Sequence, residues 1–212
     1  HAPSLANPLA DQTVQEDAPF SLLIPAATFA DQDAGDVLTL SASLADGATL
    51  PAWLSFNAAT ATFSGTPDDA QVGSLDLRVT ATDHENLSAS DVFTLTVNNV
   101  NEAPTVAVPL ANQTTVEDAT FTFAVPGSTF ADVDSGDVLT YSASLADGTA
   151  LPTWLSFNST TRTFSGIPVN SNVGMLSLRV TATDTGNLTA SDTFNLTVTN
   201  VNDAPTVANP IV

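Results

Sequence analysis

The most constraining feature of this chain is an internal repeat at a fixed offset of 101 residues. Trp53-Leu-Ser-Phe-Asn57 returns as Trp154-Leu-Ser-Phe-Asn158, and Leu77-Arg-Val-Thr-Ala-Thr-Asp83 returns as Leu178-Arg-Val-Thr-Ala-Thr-Asp184. Leu44-Ala-Asp-Gly47 and Phe63-Ser-Gly65 return at the same offset. Aligning residues 6–106 with 107–207 needs no insertion and gives 67 identities in 101 columns. A chain of 212 residues is thereby confined to two like units, each of ordinary domain size. The register predicts one repeat over residues 1–101, a second over 102–202, and the start of a third over 203–212, where Asp203-Ala-Pro-Thr206 echoes Glu102-Ala-Pro-Thr105. Such a chain reads as two members of a longer array.

Each unit reads as β. Leu75, Leu77, Val79 and Ala81 alternate with Asp76, Arg78, Thr80 and Thr82; Phe93, Leu95 and Val97 alternate with Thr94, Thr96 and Asn98. Period-two runs place apolar side chains on one face of half-buried strands. Turn signals fall between the runs at Ala34-Gly35-Asp36, Asp46-Gly47, Gly65-Thr66-Pro67 and Gly73. About seven short strands in about 100 residues is the rhythm of an immunoglobulin-like Greek-key sandwich. The predicted fold class is therefore all-β, with two such sandwiches in tandem. Trp53 and Trp154 are expected in the cores. Arg78 and Arg179 are expected to face outward from a strand, paired with an Asp.

Charge narrows the partners. The chain has 23 acids against three arginines, no lysine and no cysteine, for a formal charge of −20. Three cations cannot track a nucleic-acid backbone or dock on anionic lipid. No apolar run approaches the roughly 20 residues of a membrane-spanning helix. Without cysteine there is neither a disulfide framework nor a thiolate site. Hard divalent cations prefer oxygen ligands, which makes calcium the first cofactor to consider.

The acids recur in clusters. In the first unit they are Glu16-Asp17, then Asp31-Gln-Asp33, then Asp83 at a strand end, then Asn99, Asn101 and Glu102 at the linker. The second unit repeats them as Glu117-Asp118, Asp132-Val-Asp134, Asp184, and Asn200, Asn202 and Asp203. Alternate strand ends of a sandwich fall at opposite poles. The Asp-x-Asp pair and the strand-end Asp are thus expected at one pole, the Glu and the exit linker at the other. Stacked units would bring Asp132, Asp134 and Asp184 to Glu16, Asn99, Asn101 and Glu102. Carboxylates so close repel one another, and a cation with six to eight oxygen ligands relieves that repulsion. The poles that lack a neighbour, Asp31, Asp33 and Asp83 upstream and Glu117, Asn200, Asn202 and Asp203 downstream, are expected to be partly filled. Asp46, Asp147, Asp68 and Asp69 read instead as turn residues.

The pattern Val14-x-Glu16-Asp17, Ala30-Asp-x-Asp33, Ala81-Thr-Asp83, Val97-x-Asn99-x-Asn101-Glu-Ala-Pro104 resembles the cadherin repeat. Trp-Leu-Ser-Phe-Asn and Phe-Ser-Gly-x-Pro resemble most the bacterial, dystroglycan-type cadherin-like subgroup. The resemblance spans both units. It implies calcium at each linker, with Glu16 as the early glutamate, Asn99, Asn101 and Glu102 as the linker motif, Asp132 and Asp134 as the Asp-x-Asp of the following repeat, and Asp184 as its strand-end ligand. It also implies an array of a large bacterial surface or secreted adhesin, including the repeats-in-toxin type. This chain departs from the pattern at Asn99, where cadherins usually place Asp, and at Ala103, where they place Asn. Phe63-Ser-Gly-Thr-Pro67 replaces the mid-repeat Asp-x-Glu. Fewer carboxylates imply fewer or weaker calcium ions.

No catalytic set recurs. His84 is Thr185 in the second unit, and there is no lysine, nucleophile elbow or phosphate loop. The reading that follows is a non-enzymatic, calcium-stiffened extender, extracellular or on a bacterial surface, monomeric in isolation, partnered by neighbouring repeats. Two alternatives stand beside it. One is a recognition module for carbohydrate or for another copy of itself, with loops 68–71 and 84–86 diverging most. The other is an accessory domain of a secreted polysaccharide-active enzyme.

Overall fold

The computed structural model describes residues 1–33 and 35–205. The predicted third repeat lies outside the described residues from Thr206 onward. The chain divides into two compact units, His1–Val100 and Asn101–Val212.

In the first unit, β1 (Ser4–Leu5), β2 (Gln12–Gln15), β3 (Phe20–Leu23), β4 (Phe29–Ala30), β5 (Thr39–Leu44), β6 (Leu54–Asn57), β7 (Thr62–Gly65), β8 (Gly73–Thr82) and β9 (Ser88–Asn98) follow one another. Four strands form one sheet in the order β2-β9-β8-β5, and three form another in the order β3-β7-β6. β1 and β4 make a short separate ladder. Neighbours are antiparallel except β2, which runs parallel to β9 from Gln12 opposite Leu95 to Gln15 opposite Asn98. The second unit repeats this as β10 (Thr105–Val106), β11 (Gln113–Val116), β12 (Phe121–Ala124), β13 (Phe130–Ala131), β14 (Thr140–Leu145), β15 (Leu155–Asn158), β16 (Thr163–Gly166), β17 (Gly174–Thr183) and β18 (Thr189–Thr199). Its sheets are β11-β18-β17-β14 and β12-β16-β15. The chain is all-β, as the alternation predicts.

The alternating positions make the cores. Leu77, Val79 and Ala81 of β8, Phe93 and Leu95 of β9, and Phe63 of β7 are buried together, and Leu178, Val180, Ala182, Phe194, Leu196 and Phe164 repeat the set. Phe63 meets Phe93 edge-on at 5.9 Å between ring centroids. Two expectations need correction. Trp53 and Trp154 are only partly buried and pack against the core from its margin. Among the described residues, Arg78 and Arg179 form no ion pair with an Asp; each donates from Nη2 to a backbone carbonyl, of Ala45 and Ala146. The β5–β8 ladder sets Arg78 opposite Ser43, two residues before Ala45, so the carbonyl of the following turn lies beside the guanidinium.

One acid fastens the start of each unit. Asp91 on β9 accepts the Leu9 N–H at 2.6 Å, and Asp192 accepts the Leu110 N–H at 2.6 Å. Asp91→Ala leaves that donor unpaired. It is expected to cost about 1–3 kcal/mol, with Asp91→Asn milder because an acceptor remains. Thermal denaturation followed by circular dichroism checks the ranking.

Candidate metal centre

In the first unit, β8 ends at Thr82 and Asp83 opens the turn into β9. Asp83 Oδ1 accepts the Leu87 N–H at 2.8 Å, while the Asp83 N–H donates to Leu87 O at 3.0 Å. Asn86 completes the turn with φ 65°, a conformation that Asn tolerates better than most residues. These bonds occupy one carboxylate oxygen and leave Asp83 only 5% exposed, with Oδ2 in contact with no donor. Asp31 follows β4 and closes an Asx turn by accepting the Asp33 N–H at 2.8 Å on Oδ1; its Oδ2 is also buried without a donor.

A third carboxylate joins them. Asp31, Asp36 and Asp83 each place one oxygen within 4.8 Å of the others. Asp36 Oδ1 lies 2.9 Å from His84 Nδ1, and its Oδ2 is buried without a donor. The sequence pattern marks Asp36 only as a turn residue, so sequence reasoning missed it. The available signal was Asp-x-Asp-x-Gly-Asp, present in both units as residues 31–36 and 132–137. Asp33 does not join this group; it pairs with the amino terminus of His1.

The second unit builds the same pole from Asp132, Asp137 and Asp184, again with oxygens within 4.8 Å. Asp184 is buried and accepts the Leu188 N–H at 2.8 Å. Asp132 accepts the Asp134 N–H at 3.1 Å and keeps Oδ2 buried without a donor. Asp137 accepts from Thr185 Oγ1 at 2.7 Å. The start of the unit reaches this pole: Asn101 donates from Nδ2 to Asp184 Oδ2 at 3.0 Å, and the Glu102 N–H donates to Asp134 at 2.9 Å. Gly186 makes room, since a Cβ there would lie 2.5 Å from Asn101 Cγ.

The other pole of each unit carries a buried glutamate. Glu16 is 1% exposed; its Oε1 accepts the Val100 N–H at 2.6 Å and its Oε2 is buried without a donor. Glu117 repeats this with the Val201 N–H at 2.7 Å. Asn99, Asn200, Asn202 and Asp203 are exposed at the strand exits. The turn acids behave differently. Asp68 caps a short 3-10 turn over Asp69–Gln71, and Asp147 accepts from the Thr149 hydroxyl and N–H. Those two bonds, the hydroxyl first, hold the Asp147 carboxyl below the usual carboxylate range.

The ligand atoms that these poles offer are oxygens, apart from those of His84. That chemistry fits a hard divalent cation. Buried carboxylate oxygens with no hydrogen-bond donor are costly unless a positive charge meets them.

The family profile described as "Putative Ig domain" (He_PIG) matches residues 2–98 and again 103–199. The chain belongs to this family. Its two He_PIG domains are also similar, over 141 residues at 32% identity, to the "Serine-rich adhesin for platelets" of Staphylococcus aureus strain MRSA252. That match covers 66% of this chain and 9% of the relative, so the chain spans under a tenth of the curated relatives' length. Drosophila N-cadherin EC1-4 aligns with a TM-score of 0.64 at 17% identity, covering 94% of this chain and 50% of that one. Mouse cadherin-23 EC22-24 aligns with a TM-score of 0.61 at 19% identity, covering 95% and 68%. These likenesses establish the cadherin-like sandwich. Among the described residues, no helix is long and apolar enough to cross a membrane.

Proposed function

We propose that the two He_PIG domains are calcium-binding extender repeats of a surface adhesin. The observation that carries this reading is the set of buried carboxylate oxygens without donors, on Asp31, Asp36 and Asp83 in the first repeat and Asp132 in the second. Asp132, Asp137, Asp184 and Asn101 would hold a cation in the second repeat, and Asp31, Asp36 and Asp83 in the first. Bound calcium supplies positive charge and a demand for six to eight oxygens. Glu16 and Glu117, with Asn99, Glu102, Asp134, Asn200, Asn202 and Asp203, are the further candidates along the linkers.

The chain's own residues explain why binding would stiffen an array. Val100 is tied to Glu16 in the first unit, and Asn101 and Glu102 are tied to Asp184 and Asp134 in the second. A cation held by Asp132, Asp137 and Asp184 would fix Asn101 and Glu102, the first residues of the second unit, rather than a remote loop. The role is mechanical and needs no catalytic residue. Extracellular modules bind calcium at about 10⁻⁴–10⁻³ M, so millimolar calcium is the working range.

Calcium titrated into chelator-treated protein tests the proposal, with melting temperature and small-angle scattering recorded together. A rise in melting temperature with a longer maximum dimension is expected. If neither moves, the extender reading fails.

A further inference from the structure

The repeats are alike over most of their length, yet one surface site has been rebuilt in the second. In the first repeat, the groove beside β5 is lined by apolar groups that include Leu40, Ala58, Ala59 and Ala61. At the matching place in the second repeat, Tyr141, Ser159, Thr160 and Arg162 line a cavity of about 590 Å³, with Asp137 on its wall. Four replacements thus turn an alanine-rich groove into one with a cation, a phenol and two hydroxyls.

A fifth replacement lies beside the other four. Ala26 of the first repeat is Gly127 in the second. A Cβ on Gly127 would lie 3.4 Å from Arg162 Nη2 and 3.5 Å from Nη1, ordinary contact distances, so the guanidinium lies directly against this position. Arg162 Cζ sits 5.4 Å from the centre of the Tyr141 ring, within cation–π range. The Tyr141 ring in turn packs against Phe130, 6.1 Å between centroids, which anchors it to the core. Arg162 also holds φ 55°, where glycine or asparagine would be less strained.

The charge of Arg162 is unspent. The other two arginines donate to backbone carbonyls. Arg162 forms no ion pair among the described residues, in a chain with 23 acids. Asp137 faces the same cavity but is engaged by Thr185 through both oxygens. A guanidinium backed by a ring and flanked by hydroxyls suits a carboxylate on a hydroxylated ligand. The net charge of −20 repels polyanions, which favours a ligand with a single acidic group.

We propose that this cavity binds a saccharide bearing one carboxylate, of the uronate class. Arg162 takes the carboxylate, and Ser159 and Thr160 meet ring hydroxyls. This goes beyond the extender role and does not depend on calcium binding.

Tyr141 is the chain's only tyrosine, so its ring resonances identify themselves in an NMR spectrum. The full chain, in a fixed calcium buffer, is titrated with methyl glucuronide and with methyl glucoside, which differ in the carboxylate. Saturable shifts of the Tyr141 ring with the glucuronide, and affinity at least about tenfold weaker for the glucoside, are expected. Arg162→Ala should abolish the glucuronide response and Arg162→Lys should keep part of it. The alanine variant is compatible with the fold, because Ala61 holds φ 50° at the same place in the first repeat. Equal affinity for the two glycosides, an undiminished response in Arg162→Ala, or no saturable shift with either glycoside overturns the proposal.

Discussion

Gly166→Ala is expected to melt the second repeat at a temperature about 10–20 °C lower, leaving the transition of the first repeat in place. The reason is a close approach of two backbones. A Cβ on Gly166 would overlap the Trp154 carbonyl oxygen and lie 3.0 Å from its carbonyl carbon. Gly166 ends β16, where it pairs with both Phe121 of β12 and Leu155 of β15. The strand cannot move away without breaking those two ladders. A flexible side chain would yield; a carbonyl held between strands does not. The expected cost is on the order of 3 kcal/mol, at the upper end for overpacking. Gly65→Ala should act on the first repeat in the same way, since its Cβ would overlap the Trp53 carbonyl oxygen. Gly148→Ala is the comparison: it has φ 91° but nothing within 4 Å, so only backbone strain is added, about 1 kcal/mol. Differential scanning calorimetry of the three variants separates the effects. A shift below about 3 °C for Gly166→Ala would sink the argument.

That glycine also shows what a sequence can disclose. Phe63-Ser-Gly65 and its copy are visible as a motif, yet only the approach of Trp53 explains the glycine. The strands were legible because burial imposes a period of two on Leu77, Val79 and Ala81 regardless of what lies across the sheet. The grouping of Asp31 with Asp83 followed from strand-end parity. Asp36 was not legible, because Gly-Asp after a strand is also what an ordinary turn looks like. Its carboxylate acquires meaning from Asp31 and Asp83, which are brought to it from 5 and 47 positions away. Arg78 misled for a related reason. Counting charges pairs an arginine with an acid, whereas the ladder places it beside the Ala45 carbonyl. The Arg162 site was hidden until Gly127 and Tyr141 could be seen as its neighbours.

Asp137→Asn is expected to change sign with calcium. Asp132, Asp137 and Asp184 hold oxygens within 4.8 Å of one another. Two unit charges about 5 Å apart repel by about 0.8 kcal/mol in water and about 3 kcal/mol at an effective dielectric of about 20. With calcium chelated, removing one of the three charges relieves two such pairs. The asparagine oxygen can still accept from Thr185 Oγ1, the shorter of the two bonds at 2.7 Å, while the 3.3 Å bond from the Thr185 N–H is lost. Two pairs at the water value amount to about 1.6 kcal/mol, and losing the long bond from the Thr185 N–H takes back about 0.5 kcal/mol, so the second repeat should gain about 1 kcal/mol, or about 4–8 °C in melting temperature. With calcium present the order reverses. A ligand at about 100 times its dissociation constant stabilises the native state by about 2.7 kcal/mol, and each tenfold loss of affinity removes about 1.4 kcal/mol of that. Losing a carboxylate ligand should cost at least one such factor. The variant would then melt below the native chain in calcium and above it in chelator. Asp147→Asn serves as the control, because Asp147 sits in a turn with Thr149 and belongs to no carboxylate group among the described residues. A variant that is less stable than the native chain in both conditions, or more stable in both, would exclude Asp137 from a cation site.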